Sequence, residues 1–338
     1  MNQPAPPPHA AVLELNMAVV LSRALYAVTE RGVPDLLAAG PATPDELAVK
    51  VGVQPIALLQ LLRALAAAGI FTHGADGRFG LTSVGETLVT GHPTAARDLV
   101  LTFGGPVFSA ALGAMPQVLA TGRTGVDITM GTSAFDYLRA HPEEEASFNR
   151  TMIAVHGGEP EAVAAAYDFS GLKTVVDVGG GLGTMLVTLL RHNPHLSGVL
   201  LDAPSVVEDA KATISAAGVE GRCERIGGDF FASVPPGGDA YVLSHIIHDW
   251  GVEACHAILR NCREAMNPGG RILLVEMVLP TGAEPHPGKV LDVIMLAIAG
   301  GRERTAEEYA QLLAPAGLRV ERVVPTASPV SVLEAVPI

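Results

Sequence analysis

Hydrophobic positions change their spacing near the middle of the chain. Over residues 11–95, apolar residues recur at helical spacing, and Gly or Pro closes each short segment. Thr43, Pro44 and Glu46 have the order of an N-cap, a first helical residue and a capping-box partner. Pro55–Ala68 presents leucines on one face and is followed by glycine. This pattern predicts a mostly helical N-terminal domain.

A short hairpin is predicted after these helices, because Asp76-Gly77 stands between two apolar runs. Three helices followed by a hairpin is the layout of a winged-helix module, and such modules commonly bind DNA. The third helix carries Arg63 as its one cation, so it offers few contacts to phosphates. We therefore expect this winged-helix-like domain to serve dimerisation or to cap a substrate. A DNA-binding regulator is the alternative.

The second half alternates short apolar runs with helix-like segments. This order predicts a mostly parallel, doubly wound α/β sheet of the Rossmann type with helices on both faces. A terminal strand pair closes the predicted sheet. The predicted strands are Thr174–Val178, Gly198–Leu201, Cys223–Ile226, Ala240–Ser244, Arg271–Met277, Arg319–Val324 and Val330–Ala335.

Three domains follow from these patterns: a winged-helix-like domain over 11–95, a helical connector and substrate cap over 96–160, and the Rossmann-like catalytic domain over 161–338. Leu99–Gly122 has no charged residue, but glycines and prolines interrupt it. We interpret this stretch as a buried helical layer and expect no membrane span.

Composition narrows the functions that remain. Twenty-two Lys and Arg against 35 Asp and Glu give a net charge of −13, which disfavours nucleic acid and anionic membranes as partners. Three scattered cysteines exclude a disulfide scaffold and fit a reducing cytoplasm. The first ten residues lack a basic segment, so we do not expect a signal peptide.

A glycine-rich turn follows the first predicted strand of the sheet. Gly179, Gly181 and Gly183 form G-x-G-x-G, and Thr184 stands where a dinucleotide fingerprint needs Gly or Ala. Glycine allows positive φ and close approach of a ligand to the backbone. The turn therefore favours S-adenosylmethionine, which has no pyrophosphate to bind.

Polar residues at the next two strand ends agree with an adenosine site. Asp202 ends the second predicted strand, where a carboxylate accepts hydrogen bonds from ribose hydroxyls. Asp229 and Phe230 follow the third strand and offer an acceptor for an amine beside a flat apolar surface. The alternative is a purely structural turn with two capping aspartates.

A histidine and a carboxylate follow the fourth and fifth strands. Carboxyl ends of neighbouring strands open onto one crevice, so His248 and Glu276 are expected to face the same pocket. A carboxylate beside the imidazole makes it a better base. His245 is the alternative base. For each of the two histidines, a purely structural role is a further alternative. No group of His, Asp and Glu has metal-ligand spacing, so we expect no metal.

The sequence resembles O-methyltransferases of the caffeate and hydroxyindole type, especially bacterial members that act on aromatic natural products. The resemblance extends over nearly the whole chain and is specific in combination. Its motifs are GVPDLLAAGPATPDELA, LLRALAAAGIF, FNRTM, VVDVGGGLGT, LDAPSVV, GGDFF, HIIHDW, MNPGGRILLVE and LDVIMLAIAGGRERT.

The resemblance implies roles for individual residues. His248 matches the general base, and Glu276 and Glu303 match the two acidic residues that flank it. Ser244 stands where plant relatives have Lys, so we expect a different cofactor contact there. The N-terminal domain is implied to form a homodimer that completes the partner's pocket. Further matched positions are Gly179, Asp202, Asp229 and Phe230 for the cofactor, and Phe148, Met152 and Met295 for the acceptor.

The resulting prediction is a metal-independent, cytoplasmic O-methyltransferase. It moves a methyl group from S-adenosylmethionine to a phenolic hydroxyl of a small aromatic metabolite and releases S-adenosylhomocysteine. Methylation of nitrogen or carbon is an alternative, and so is a hydroxylase or decarboxylase activity on the same fold. His248 argues against that last alternative, because proteins of that kind generally lack the base.

Overall fold

The computed structural model of the chain describes residues 7–338. Its helices are α1 (Pro8–Glu30), α2 (Val33–Ala38), α3 (Pro44–Val51), α4 (Pro55–Ala67), α5 (Ser83–Glu86), α6 (Ala96–Gly104), α7 (Pro106–Gly113), α8 (Met115–Thr121), α9 (Gly125–Met130), α10 (Ala134–Ala140), α11 (Pro142–His156), α12 (Glu159–Ala166), α13 (Thr184–His192), α14 (Pro204–Ala216), α15 (Val252–Ala265), α16 (Pro287–Ile298) and α17 (Ala306–Leu313). Its strands are β1 (Phe71–His73), β2 (Phe79–Leu81), β3 (Thr174–Val178), β4 (Ser197–Asp202), β5 (Cys223–Gly227), β6 (Ala240–Ser244), β7 (Arg271–Glu276), β8 (Val278–Leu279), β9 (Arg304–Thr305), β10 (Leu318–Pro325) and β11 (Ser331–Pro337). Short 3-10 helices occupy Glu220–Arg222, Ile247–Asp249 and Ala314–Ala316.

The described chain divides into two compact units. The first comprises its residues up to Gly113 together with Phe135–Val155, and the second comprises Ala114–Ala134 and His156–Ile338. The segment expected to form a connector, 96–160, is thus shared between both units. The prediction that the N-terminus does not form a signal peptide concerns mainly residues 1–6, which lie outside the described residues.

The first unit contains the predicted helices and hairpin. The Thr43 hydroxyl accepts a hydrogen bond from the Glu46 N–H, and the Glu46 carboxylate accepts one from the Thr43 N–H, which confirms the capping box. Strands β1 and β2 pair antiparallel. Leu62, Phe71 and Phe79 are fully buried in the core beneath them. The predicted mostly helical N-terminal domain is confirmed.

Helix α1 carries an exposed apolar surface in this single chain. By length and composition alone, α1 could cross a membrane. Only 11% of its most apolar stretch is buried within the described chain. Contiguous exposed apolar residues on one chain are typical of a surface that contacts a partner. The exposed apolar residues are Val12, Leu13, Leu15, Met17, Val19, Val20 and Leu21.

The second unit is built on a sheet that has seven strands within the described residues, in the order β10-β11-β7-β6-β3-β4-β5. Pairing is parallel from β7 through β5, whereas β10, β11 and β7 pair antiparallel. The doubly wound, mostly parallel sheet and its terminal strand pair were predicted from the sequence and are confirmed.

Successive residues of the central strands supply the two faces of this sheet. Val175 packs into one apolar cluster with Leu189 of α13, and Val176 packs into the other cluster with Leu259 of α15. Both faces are covered, so these strands are continuously apolar. Chain order reverses between β3 and β6, so the crevice beyond their carboxyl ends is the expected ligand site.

Candidate active site

The glycine turn connects β3 to α13 at this crevice. Gly179, Gly181 and Gly183 all adopt positive φ, at 70°, 57° and 78°. The Gly179 N–H donates to the Leu201 carbonyl at 2.8 Å, which ties the turn to β4. A Cβ at Gly179 would lie 2.6 Å from Cδ1 of Ile246. Conformation and space therefore both require glycine at the mouth of the crevice.

Two aspartates, Asp177 and Asp202, lie next to the turn. Asp177 is buried, and neither of its carboxylate oxygens has a hydrogen-bond partner among the described residues. Burial, followed by repulsion from Asp202, raises the pKa of Asp177 to about 7. Asp202 accepts hydrogen bonds from the N–H groups of Gly181 at 2.8 Å and Ala203 at 2.7 Å. Each Asp202 oxygen keeps a further lone pair for a ligand hydroxyl.

Phe230 supplies a flat apolar surface next to the turn. Its Cε1 atom lies 3.4 Å from the position of a Cβ on Gly179, and its ring packs 4.8 Å from Phe231. Asp229 precedes it and accepts the Phe231 N–H at 2.9 Å. The half-buried Ser244 ends β6 on the other side of the strand-order reversal. A turn that has no room for a Cβ at Gly179, with carboxylates beside an aromatic ring, fits an adenosine-bearing cofactor.

His248 lies in the 3-10 helix that follows β6 and is 5% exposed. Its Nδ1 atom is 2.7 Å from Oε1 of Glu303 and 3.4 Å from Oε2 of Glu276. Its Nε2 atom is 3.6 Å from Oδ1 of Asp249, beyond hydrogen-bond distance. The structure therefore brings together the three residues predicted to be catalytic. Glu303 accepts the Nδ1 proton of the neutral ring, which leaves the Nε2 lone pair as the basic site.

The two glutamates do different things. Glu276, at the end of β7, accepts N–H hydrogen bonds from Ile247 at 2.9 Å and from His248 at 3.4 Å through Oε1. Burial first, and then repulsion from Glu303, raise the pKa of Glu276 well above its usual value. Glu276 thus holds the backbone of the 3-10 helix, and Glu303 holds the ring.

Glu303 is fixed by the segment between α16 and β9. Its N–H donates to Oδ1 of Asp292 at 2.8 Å, and the neighbouring Arg302 N–H donates to the His248 carbonyl at 2.8 Å. A Cβ on Gly301 would lie 1.8 Å from that carbonyl oxygen, so only glycine permits this approach. The buried guanidinium of Arg304 donates to the Ile247 carbonyl at 3.1 Å. No spacing in the sequence indicated Asp292 or Arg304.

Burial sets the protonation states of this pair. It lowers the pKa of His248, and it raises the pKa of Glu303 to about 7. A neutral imidazole beside a carboxylate is the arrangement required of a general base near neutral pH.

His245, the alternative base, has another environment. Its ring centroid lies 5.0 Å from that of His248, and its Nε2 atom is 2.7 Å from Oε2 of Glu159. The backbone of His245 has φ of 54°, which is uncommon for a residue with a Cβ. Burial lowers the pKa of His245 to about 4. His156 also lies 3.2 Å from Oε2 of Glu159.

The residues expected to line the acceptor pocket fall in both units. Phe148 and Met152 lie on α11 in the first unit, and Met295 lies on α16 in the second. All three side chains are partly buried. Their role in acceptor binding stays a prediction.

Comparison with known families gives two matches to this chain. Residues 116–319 match the O-methyltransferase domain, and residues 13–91 match the O-methyltransferase dimerisation domain. The first match covers the glycine turn, His248, Glu276 and Glu303, and the second covers most of the first unit.

The chain is similar to named methyltransferases over nearly their full length. The chain is 41% identical to the phenazine O-methyltransferase PhzM of Lysobacter antibioticus, covering 99% of this chain and 98% of that protein. It is 34% identical to the phenazine-1-carboxylate N-methyltransferase of Pseudomonas aeruginosa, covering 90% of both.

Solved structures show the same fold. The mitomycin 7-O-methyltransferase has a TM-score of 0.91 at 34% identity, covering 98% of both chains. An O-methyltransferase from neocarzinostatin biosynthesis, solved with S-adenosylmethionine and 2-hydroxy-5-methyl naphthoic acid, has a TM-score of 0.83 at 34% identity. That match covers 94% of this chain and 96% of the solved one.

Proposed function

The chain belongs to the S-adenosylmethionine-dependent O-methyltransferase family of caffeate and hydroxyindole type, and from that premise we propose that it methylates a phenolic hydroxyl of a small aromatic metabolite with His248 as general base. The observation that carries this proposal is the 2.7 Å contact between Nδ1 of His248 and Glu303, beside the crevice of the glycine turn. The family places the chain among methyltransferases related to enzymes of aromatic natural-product pathways.

A phenol requires a general base to react as a nucleophile at neutral pH. An unperturbed phenol has a pKa of about 10, judging by tyrosine, so few molecules are ionised. Nε2 of His248 accepts the phenolic proton, and the imidazolium is stabilised by Glu303 on the opposite side of the ring. A positioned base of this kind contributes roughly 10²–10⁴-fold.

The other residues position the reactants. S-adenosylmethionine supplies, when bound, a methyl carbon on a sulfonium that an oxygen nucleophile can attack. Gly179, Gly181 and Gly183 open the backbone for it, and Asp202 accepts hydrogen bonds from its ribose. The remaining proposed contacts are Asp229, Phe230 and Ser244 for the cofactor, and Phe148, Met152 and Met295 for the acceptor.

The exposed face of α1 supports a homodimer. The dimerisation match begins at residue 13, within this apolar face, so a second copy of the chain is a better-supported partner than a membrane. We propose the domain limits 11–95, 96–160 and 161–338, and a cytoplasmic enzyme that requires no metal for methyl transfer and binds no nucleic acid.

A screen of acceptors tests the reaction. Purified enzyme with S-adenosylmethionine is incubated with phenols, hydroxyquinones, hydroxyphenazines and flavonoids, and mass spectrometry detects the added methyl group. With the accepted phenol, His248→Ala should lower kcat by about 10²-fold or more and leave cofactor affinity nearly unchanged in calorimetry. His192→Ala, at an exposed histidine on α13, is the matched control and should keep full activity. Unchanged turnover in His248→Ala would refute the base assignment.

N-methylation is the second candidate, because one relative is a phenazine-1-carboxylate N-methyltransferase. An acceptor nitrogen with a free lone pair needs no base. Retention of kcat in His248→Ala with a nitrogen acceptor, together with methylated nitrogen in the product, would favour this activity.

A further inference from the structure

A second cluster of polar side chains lies next to the proposed base, and the proposed reaction does not use it. It consists of His156, Glu159 and His245, which are the last residue of α11, the first residue of α12 and the residue that follows β6. Their candidate ligand atoms all lie within 4.8 Å of one another. The cluster is contained in the second unit.

Two imidazole nitrogens converge on one carboxylate oxygen. Oε2 of Glu159 is 2.7 Å from Nε2 of His245 and 3.2 Å from Nδ1 of His156. The two imidazole rings are 3.9 Å apart between centroids. Two histidines and one carboxylate are the ligand types that first-row divalent metals such as Zn²⁺ select.

Hydrogen bonding within the cluster leaves donors unused. Nδ1 of His156 is shielded from solvent and lies near Oε2 of Glu159, yet outside hydrogen-bond geometry, and it has no other partner among the described residues. Nδ1 of His245, the ring nitrogen that does not contact Glu159, is also shielded and lacks a partner there. A buried polar atom without a partner destabilises the fold unless something else satisfies it.

The backbone of His245 is also costly to maintain. Its φ of 54° lies in the left-handed region, where a side chain strains the backbone. This conformation directs the ring to Glu159. Strain of this sort is often kept where a residue serves a ligand.

We propose that His156, Glu159 and His245 bind one Zn²⁺-type divalent cation, at a site separate from the catalytic pair of His248 and Glu303. Donor atoms of a tetrahedral zinc site lie roughly 3.3 Å apart, so small side-chain rotations from the present distances suffice. His156 is 23% exposed in its side chain, which gives the ion a route from solvent, whereas Glu159 is 5% exposed and its charge is sheltered from water. The fourth position is left to water.

A neighbouring combination is less suitable. His245, His248 and Glu276 also place their candidate ligand atoms within 4.8 Å of one another. However, Nδ1 of His248 is occupied by Glu303, and Glu276 is completely buried and holds two backbone N–H groups. The first combination therefore has the freer donors.

Metal binding is measured directly, without cofactor or acceptor, so the outcome is independent of methyl transfer. Full-length protein lacking a polyhistidine tag is stripped with chelator and titrated with Zn²⁺ in a calorimeter. Co²⁺ is titrated separately to record the visible absorption of tetrahedral coordination. We expect one equivalent to bind in the wild type.

Variants locate the ion. Glu159→Gln and His156→Asn should each weaken Zn²⁺ binding by at least about 100-fold, since each removes a ligand. His192→Gln is the matched control, because His192 and Glu161 form a His–Glu pair on the surface, and it should bind Zn²⁺ as the wild type does. Circular dichroism confirms folding, and the partly exposed His156 offers the substitution that disturbs the core least.

Any of three results would overturn the assignment. The first is the absence of stoichiometric Zn²⁺ and Co²⁺ binding by the wild type. The second is unchanged affinity in both folded variants. The third is binding that is lost in Glu276→Gln and retained in His156→Asn, which would place the ion on the neighbouring combination.

Discussion

Substituting Glu303 by glutamine removes the negative charge and keeps nearly the same side-chain shape, so it tests the contribution of the charge alone. The glutamine side chain can still accept the Nδ1 proton of His248 across the present 2.7 Å contact. It lacks the negative charge that stabilises the imidazolium formed during the reaction. With charge centres roughly 4 Å apart and an effective dielectric constant near 20, that attraction is worth about 4 kcal/mol. The retained neutral hydrogen bond offsets part of this loss, so about 2–4 kcal/mol remains, or roughly 30-fold to 1,000-fold in kcat.

The pH profile gives a second readout of the same change. Glu303 is effective as the carboxylate, and burial raises its pKa to about 7. Wild-type kcat should therefore fall as pH falls through about 7, where Glu303 takes up a proton. Glutamine does not titrate, so this decrease should be absent from Glu303→Gln, whose remaining acid limb belongs to His248. Burial already lowers the pKa of His248, and loss of the carboxylate lowers it further. The ratio of wild-type to variant kcat should hence be largest above pH 7.

Release of S-adenosylhomocysteine, measured by mass spectrometry from about pH 5 to about pH 9, provides both readouts. Glu307→Gln, an exposed glutamate on the adjoining α17, makes the same chemical change and should match the wild type. A folded Glu303→Gln enzyme with kcat within about twofold of the wild type, or about 0.4 kcal/mol, and an unchanged pH profile would refute the reasoning.

Further substitutions test the cofactor cradle and the dimer. Asp202→Ala removes the acceptor for the N–H groups of Gly181 and Ala203, so cofactor Kd should rise by at least about 10-fold in calorimetry; unchanged affinity would contradict this role. Gly179→Ala places a Cβ 2.6 Å from Ile246 at φ of 70°, so both cofactor affinity and Tm should decrease, the strain alone being about 1–2 kcal/mol. Leu15→Glu puts a charge on the apolar face of α1, where Leu15 is 77% exposed, and should yield monomers in light scattering; a stable dimer would move the interface elsewhere.

The architecture was predictable because the sheet leaves a strong pattern. Strands buried on both faces give unbroken apolar runs, and β3 and β6 were predicted with the bounds that the structure has, Thr174–Val178 and Ala240–Ser244. Strand order at the reversal then brings the residues after these strands to one crevice. From the sequence, this rule predicts that His248 and Glu276 lie close together, and the structure confirms their proximity.

Contacts between loop segments could not be predicted from the sequence, because no strand register fixes which residues meet. Glu303 was recognised through family resemblance alone, because it reaches His248 from a loop 55 positions away. Gly301 and Asp292, which hold that loop in place, have no pattern of their own. The division of roles between Glu276 and Glu303 likewise depends on which oxygen faces a backbone N–H and which faces a ring.

The cluster at Glu159 shows the same limit more sharply. No metal-ligand spacing exists in the sequence, since His156 and Glu159 are separated from His245 by 86 positions or more. They meet because α12 begins beside the carboxyl end of β6, and because His245 accepts a left-handed backbone there. Two imidazoles thus share one carboxylate, and the ring centroid of one of them, His245, lies 5.0 Å from that of the proposed base, His248. A divalent cation bound at that cluster would disfavour the imidazolium form of His248, so the charge of one site would act directly on the chemistry of the other.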